Sequence, residues 1–383
     1  MVCKVRGAKS LSRFLDNEPK YIEIMLDIFR VRYVAQSDAR DNTLYPLSEI
    51  AALCVNSDQA MTTLDQISLR WELRYVLLLW LTHLMLAPFD LSSVSADMSS
   101  RETAFKIKLP PELPRIAEEV LRISMQEISS TTKTQSAAVA LIVRLALRPD
   151  MRRVGLLDAL LKWVLSSLSA TVDTSGSIHV YIGLLMFVNG LVASANMGEI
   201  GQYLPVLYET VGSIFKADSG SETFHELRSS AVAKKLAIKI QRNIVVQLLQ
   251  TNSSSHKSYH EIKMRMFNDM SILDDVIDFL LEAVGDHETP VRYAASKSLS
   301  VITTKLDPAM AEEVVEAVIG SLGEDVVDGG NSRRPTTVNP SRWHGITLTL
   351  SHMLFRRTPA PVQVPDILHV LFFALKVTRH YNR

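Results

Sequence analysis

Apolar residues recur along most of this chain at the spacing of an α-helix, and this pattern restricts the fold more than any other feature. The segment Met151–Leu168 is typical, because apolar side chains return every three or four residues between charged and hydroxyl ones. Alternation with a period of two, which marks a half-buried strand, is nearly absent. The sequence therefore predicts an all-α protein. Similar segments cover 21–34, 71–87, 111–128, 137–147, 179–195, 200–215, 231–249, 272–284, 291–306, 309–322, 342–355 and 364–377.

The predicted helices come in pairs joined by short connections, as in proteins built from repeats of about 40–47 residues. The clearest unit covers Asp274–Leu306. Its first helix is predicted to end near Gly285, and Pro290 suits the first turn of its second helix. Because each repeat of this kind contacts mainly its neighbours, the predicted architecture is an α-solenoid of HEAT or armadillo-like helical repeats.

The start of the second helix in this unit carries the residues that are typical of a HEAT repeat. Asp286 precedes Arg292 by six residues, Val291 begins the helix, and Ala295 is small enough for two helices to approach closely. The arginine can reach an aspartate in its own turn or in the neighbouring one. We therefore predict that these four residues are structural and that charged pairs form a ladder along the stack.

A second copy of this pattern lies in WELRYVLLLWLTHLMLAPFDL, residues Trp71–Leu91. Its Leu73-Arg74-Tyr75 aligns with Val291-Arg292-Tyr293, so Arg74 is a predicted ladder residue, although Ser68 stands where its aspartate is expected. Lys234, in SAVAKKLAIKIQ, is a weaker counterpart. The run is too short and too charged at its edges for a membrane span, which needs about 20 apolar residues. It is predicted to be a buried helix.

Three polar segments interrupt the helical pattern and are predicted to be surface loops or insertions. They are residues 92–108, 250–260 and 323–341. None of them has the character of a linker between domains. Residues 1–383 are therefore predicted to form a single continuous array of repeats.

The sequence contains no catalytic or nucleotide-binding signature: a P-loop, GxGxxG, HExxH and GxSxG are all missing. His256 and His260 have a spacing that could begin a metal site on a helix, but the preceding TNSSS favours a loop, and no metal or cofactor is predicted. With 41 basic and 41 acidic residues, the chain lacks the positive excess of a nucleic-acid-binding protein. Two cysteines and no visible signal peptide indicate a reducing, cytosolic compartment.

Two features leave a structural and a functional interpretation open. Trp343, followed by Gly345, lies near a predicted helix start, where both residues are most simply packing devices. The other feature is a basic stripe with Glu226 as its nearby acidic residue. Such a stripe is commonly a solvated face, but it can also meet an acidic protein surface and accelerate association. The stripe consists of Arg228, Lys234, Lys235, Lys239 and Arg242.

Six segments, taken in order, resemble the tubulin-folding cofactor D family in its fungal form. The Trp-Glu-x-Arg-Tyr helix ending in Pro-Phe-Asp-Leu is the most recognisable of them, and Tyr293 stands where the family has tryptophan. The segments are KVRGAK (Lys4–Lys9), DNEPKY (Asp16–Tyr21), WELRYVLLLWLTHLMLAPFDLSSV (Trp71–Val94), VAKKLAIKIQR (Val232–Arg242), DHETPVRYAASKSL (Asp286–Leu299) and RWHGITLTLSHML (Arg342–Leu354).

This resemblance implies a HEAT-repeat protein that acts after the cytosolic chaperonin and captures β-tubulin. Such proteins work with tubulin cofactors E and C and an Arf-like small GTPase to build or dismantle the αβ-tubulin dimer. They contribute to GTPase activation only within that complex, so neither an enzyme active site nor a cofactor is expected. The implied location is the cytoplasm, with microtubule association as a further expectation.

The family is much longer than this chain, so an N-terminal to central fragment is expected. The alternative function is that of a generic HEAT scaffold for protein–protein interaction, of the transport-adaptor or phosphatase-scaffold type. Such a scaffold would show uniform repeats with a regular inner ladder of aspartate with asparagine or arginine, and the degenerate repeats of this sequence do not have that pattern.

Overall fold

The computed structural model describes residues 15–35, 71–93, 107–169, 177–216, 222–254, 259–323 and 339–381. Within these ranges all regular structure is helical, and no strand occurs. The predicted all-α class is confirmed. The chain divides into two compact units, Met1–Leu191 and Val192–Arg383. The prediction of a single continuous array over residues 1–383 stays a prediction.

The first unit is built around a long apolar helix that packs lengthwise against another. Its helices are α1 (Lys20–Ala35), α2 (Trp71–Leu84), α3 (Arg115–Glu127), α4 (Thr134–Leu147), α5 (Pro149–Arg153), α6 (Leu156–Ser169) and α7 (Ile178–Ser194), the last of which extends beyond the unit. Helix α2 lies along α4, α3 covers α4, and α1 contacts both α2 and α3. Leu78, Leu81 and Leu84 of α2 are fully buried. The Trp71–Leu91 run thus contains an interior helix, as its composition predicts, and this helix ends at Leu84.

Two of the segments that carry the family resemblance contact each other in this unit. The indole Nε1 of Trp80, in α2, donates to the carbonyl oxygen of Asp16 at 2.7 Å. The rings of Trp80 and Tyr21 lie 5.3 Å apart between centroids. An aromatic side chain of this size contributes both apolar area and a directional hydrogen bond. Trp80 therefore anchors the chain before α1 onto α2.

The second unit shows the layered stacking that defines a helical solenoid. Its helices are α8 (Met197–Ile200), α9 (Leu204–Lys216), α10 (Glu222–Ser229), α11 (Ala231–Ser254), α12 (Tyr259–Val284), α13 (Thr289–Thr303), α14 (Pro308–Gly323), α15 (Pro340–Arg356) and α16 (Val364–Tyr381). Helices α11, α13 and α15 lie side by side in one layer. Helix α12 packs against α11 and α13, and α14 and α16 pack against α15 and against each other. The predicted solenoid of helical repeats is confirmed.

One predicted helix is broken in the structure. The segment Met151–Leu168 is divided between α5 and α6, with Gly155 between them at a φ of 83°. Only glycine adopts this left-handed conformation without a steric cost. The apolar periodicity continues through the break, so periodicity alone does not reveal it.

The polar segment predicted as a loop at residues 250–260 is largely helical. Helix α11 continues to Ser254 and α12 already begins at Tyr259, so the prediction is wrong for most of the segment. Serine, threonine and asparagine lower helix propensity, but only proline and glycine strongly oppose helix, and this segment contains neither. The other two predicted loops lie mostly outside the described residues. These are residues 94–106 of the loop at 92–108 and residues 324–338 of the loop at 323–341.

Candidate partner-binding surface

Arg74 forms a charged pair, although its partner is not the aspartate that the repeat pattern calls for. Its Nη1 donates to the Glu127 carboxylate at 2.7 Å, and both side chains are largely buried. Glu127 lies at the end of α3 and also accepts a hydrogen bond from the Thr134 hydroxyl, at 2.7 Å, where α4 begins. Arg74 therefore ties α2 to the turn between α3 and α4.

Lys234 belongs to the same class of ladder residue. Its Nζ donates to the Asp286 carboxylate at 2.7 Å and so links α11 to the turn before α13. Asp286 also accepts from the Glu288 backbone N–H at 2.8 Å. Burial alone would raise the pKa of Asp286, but the hydrogen bonds from Lys234 and Glu288 and the positive charge of Lys234 outweigh it and lower that pKa.

The Arg292 guanidinium does not bind the Asp286 carboxylate, contrary to the expected pairing within the unit. It is buried and donates instead to two backbone carbonyls, those of Asp286 and His287, both at 2.8 Å. Its Nε donates to His344 Nδ1 at 3.0 Å, which joins α13 to α15. The carboxylate is already bound by Lys234, so the two contacts link α11 to the turn before α13 and α13 to α15.

The remaining predicted repeat residues lie in the core of the second unit. Val291, Ala295 and Trp343 are buried. Gly345 is where α15 meets the end of α12, because a Cβ placed on it would lie 1.8 Å from the carbonyl oxygen of Val284. The hydroxyl of Ser296, next to Ala295, donates to the carbonyl oxygen of Gly345 at 3.1 Å. These residues are packing elements, and none of them is placed to meet a ligand.

A buried arginine that the sequence reasoning missed fixes the end of the Trp71–Leu91 segment. Arg148 uses all five of its N–H donors: two on the Asp150 carboxylate and one each on the carbonyl oxygens of Met85, Ala87 and Phe89. The signal for it was the charged RPD sequence directly after the apolar helix α4.

Asp150 completes this network. Its carboxylate also accepts from the backbone N–H groups of Leu91, at 2.9 Å, and Met151, at 3.0 Å. Burial by itself would raise the pKa of Asp150, but the hydrogen bonds from Arg148, Leu91 and Met151 and the charge of Arg148 outweigh it and lower that pKa. The Pro-Phe-Asp-Leu turn is thus held by an interior ion pair.

The five residues of the predicted basic stripe do not form one surface in the structure. Arg228 lies on α10, and Lys234 is occupied by Asp286. Lys235, Lys239 and Arg242 follow at i, i+4 and i+7 on α11, so they share one face of that helix. Burial, followed by the positive charges of Lys235, Arg242 and Lys297, lowers the pKa of Lys239. The choice between a solvated face and a partner-binding face therefore concerns Lys235, Lys239, Arg242 and the side chains around them.

Neither a metal-binding cluster nor a membrane-spanning helix occurs in the described part of the chain. No group of three or more histidine, cysteine, aspartate or glutamate side chains there is placed to hold a metal ion. No helix in the same residues combines the length and the apolar character that crossing a membrane requires. His256 lies outside the described residues, and His260 falls in α12.

Comparison with known families gives two matches that together cover most of the chain. Residues 1–168 match the model of the tubulin-specific chaperone D-like ARM repeat, and residues 214–382 match the model of the ARM repeats that form the second such region. No solved structure matches the chain.

Two curated proteins are similar to the chain over most of its length. The tubulin-folding cofactor D of Schizosaccharomyces pombe is 25% identical over 289 residues, which cover 73% of this chain and 23% of that protein. The tubulin-specific chaperone D of Dictyostelium discoideum is 22% identical over 354 residues, which cover 79% of this chain and 23% of that protein. The chain thus spans about a quarter of the length of these relatives.

Proposed function

This chain belongs to the tubulin-specific chaperone D-like family of ARM-repeat proteins, and from that premise we propose that it is a tubulin-folding chaperone module that binds β-tubulin. The observation that carries the proposal is the pair of family matches, at residues 1–168 and 214–382. The names of both curated relatives refer to tubulin, and the choice of its β subunit belongs to the proposal. The side-by-side layer of α11, α13 and α15 supplies an extended surface, as expected of a protein that holds a large folded partner.

We further propose the binding partners of the module and its location in the cell. The module works after the chaperonin, with tubulin cofactors E and C and an Arf-like small GTPase, in assembling and dismantling the αβ-tubulin dimer. Its contribution to GTPase activation requires the multi-protein complex, and the chain acts by binding rather than by catalysis. Its site of action is the cytoplasm, in association with microtubules.

Co-elution with purified tubulin tests the core of this proposal. The purified chain is mixed with αβ-tubulin and separated by size-exclusion chromatography, and each subunit in the complex is quantified. A β-tubulin binder enriches β-tubulin over α-tubulin in the complex peak. If neither subunit co-elutes with a folded chain, as judged by circular dichroism, the proposal is wrong. A complex that retains the two subunits in equal amounts holds the intact dimer, and crosslinks from the chain to α-tubulin alone would then contradict the assignment to β-tubulin.

The Arf-like GTPase and the two cofactors are tested separately by adding each one to the preformed complex. A partner that belongs to the assembly shifts the complex to a larger size, and an unrelated small GTPase serves as the control. The absence of a shift with a given partner removes that partner from the proposal and leaves tubulin binding in place.

A further inference from the structure

Five basic side chains from three neighbouring helices form one surface in the second unit. They are Lys235, Lys239 and Arg242 of α11, Lys297 of α13 and Arg356 of α15, and together they are called the cationic surface below. Their closeness follows from the packing, because α11, α13 and α15 lie side by side and Arg356 of α15 donates to the Ser300 hydroxyl of α13 at 3.1 Å. In keeping with this, the charge of Lys297 acts on Lys239, and that of Arg356 acts on Arg242. Each effect adds to burial in lowering the pKa of the affected group.

Each of the three helices presents its part of this surface at helical spacing. Lys235 and Lys239 are four residues apart on α11, Tyr293 and Lys297 on α13, and His352 and Arg356 on α15, so each pair lies on one side of its helix. The rings of Tyr293 and His352 approach to 6.4 Å edge to face, and the Tyr293 side chain is half exposed. The stripes of adjacent helices therefore join into one patch.

The cationic surface is not neutralised within the described part of the chain. No carboxylate of a described residue forms an ion pair with any of its five members, in contrast to Lys234 beside them. The two guanidinium groups are instead oriented by neutral partners. Arg242 donates to Asn243 Oδ1 at 2.7 and 3.1 Å, and Arg356 donates to the Ser300 hydroxyl at 3.1 Å. Charges held in place without counter-charges are preorganised for an anionic ligand.

We propose that the cationic surface binds an extended acidic segment of a polypeptide, laid across α11, α13 and α15. Packed helices lie about 8–10 Å apart, so three of them span roughly 20 Å, which an extended chain covers in about six residues. Carboxylates at alternate positions can then meet the two arginines in bidentate hydrogen bonds. The inference rests on the proposed function in expecting this segment to belong to a folding client.

The charge balance favours a polypeptide over a nucleic acid. Nucleic-acid-binding proteins carry a general basic excess, and single-stranded ligands require several exposed aromatic rings for base stacking. This chain is neutral overall, and Tyr293 and Phe355 are the two large aromatic side chains exposed at or beside the surface, too few for a stacked strand. Lys239 and Arg242 are also partly buried, so a slender ligand reaches them more easily than a folded surface does.

The test is a fluorescence-anisotropy titration of the full chain with a labelled peptide of about eight glutamates, long enough to cross the patch. A glutamine peptide of equal length and a single-stranded oligonucleotide are the comparison ligands. The glutamate peptide is expected to bind, more weakly as salt rises, and the glutamine peptide is not. The double variant Lys239→Gln/Lys297→Gln should raise the Kd about tenfold, equivalent to roughly 0.7 kcal/mol per charge.

The matched control is Lys133→Gln/Lys162→Gln, which removes two exposed lysines from the first unit and should leave the Kd unchanged. Equal weakening in both double variants overturns the proposal, as does an absence of peptide binding. Tighter binding of the oligonucleotide overturns the choice of a polypeptide. If the Lys239→Gln/Lys297→Gln chain melts early, the exposed single change Lys297→Gln decides the comparison.

Tubulin co-elution measured in parallel separates the two proposals. If tubulin is captured but the glutamate peptide is not bound, this inference fails and the proposed function stands. If the peptide is bound through Lys239 and Lys297 but tubulin is not captured, the acidic-segment site stands and the proposed function fails.

Discussion

A buried arginine of the first unit and the cationic surface of the second unit treat positive charge in opposite ways. In the first, Arg148 is buried, and all five of its N–H groups donate hydrogen bonds to Asp150 and to three backbone carbonyls. In the second, Lys297 of the cationic surface is exposed and its other four basic groups are partly exposed, and none of the five is paired with a carboxylate of a described residue. An unpaired charge is tolerated at a wet surface but is expensive in the interior. The partner, rather than the residue type, therefore separates a structural cation from one that is available to a ligand.

The largest effect that this contrast predicts is at Arg148. Replacing Arg148 with Ala leaves the Asp150 carboxylate buried without its counter-charge and frees three carbonyls, so the free energy of unfolding should fall by about 3–5 kcal/mol. Urea denaturation followed by circular dichroism measures this loss. The matched control is Arg153→Ala, because Arg153 pairs with Asp90 at 3.2 Å on the surface. That exposed pair is worth about 0–1 kcal/mol, and comparable losses in the two variants would contradict the interior role of Arg148.

Arg74 is the next test, since its pair with Glu127 is largely but not fully buried. Arg74→Ala should lower the free energy of unfolding by about 1–3 kcal/mol, the range for a charged hydrogen bond that leaves its partner unsatisfied. The folded variant should still capture tubulin in the co-elution assay. An unchanged melting temperature together with lost capture would move Arg74 from the structural group to the binding group.

Neighbouring lysines on α11 provide the sharpest comparison of paired and unpaired charge. Lys234 is bound to Asp286, whereas Lys235 has no ion pair with any described residue. Lys234→Gln should cost about 1 kcal/mol of stability, and Lys235→Gln should stay within about 0.5 kcal/mol of the parent chain. The same two proteins should rank in the reverse order for loss of glutamate-peptide binding. Thermal denaturation and the anisotropy titration, performed on the same samples, check both orders.

The apolar periodicity of the sequence locates most helices, but it does not locate every helix end or break. The pattern in Trp71–Leu91 located α2 correctly because a buried helix needs apolar residues on nearly all sides. The break at Gly155 was not predictable from periodicity, since the apolar spacing continues through it and the conformation is decided by one φ angle. The continuation of α11 to Ser254 was missed because polar composition lowers helix propensity without ending a helix.

Contacts between helices explain what the sequence could not show of the site. The search for an aspartate at a fixed distance from Arg74 could not find Glu127, which is 53 residues away. The basic stripe was defined by closeness in sequence, so it included Arg228 of α10 and Lys234, whose partner lies across the stack, and omitted Lys297 and Arg356. Four-residue spacing places a charge on a face of its helix, but only packing decides what that face meets.

The smallest predicted effect is on pH dependence, because at Asp150 and Asp286 the desolvation of the carboxylate opposes the hydrogen bonds that it accepts. The pKa values of Asp150 and Asp286 are lowered in the folded chain, so each carboxylate binds its proton less readily than in the unfolded chain. Their contribution to stability is complete above the ordinary aspartate pKa of about 3.9 and is lost as pH falls through the lower, folded value. The free energy of unfolding should therefore decline below about pH 4.

Asp150→Asn and Asp286→Asn should each make that decline less steep, and the exposed Asp90→Asn should leave the slope unchanged. Urea denaturation across the acid range gives the slope for each chain. If the Asp286 variant changes the slope but the Asp150 variant does not, the charge of Asp150 contributes little to stability. The Arg148–Asp150 contact then acts through its hydrogen-bond geometry. The contrast between the two units would then rest on the carbonyls that Arg148 holds and no longer on its counter-ion.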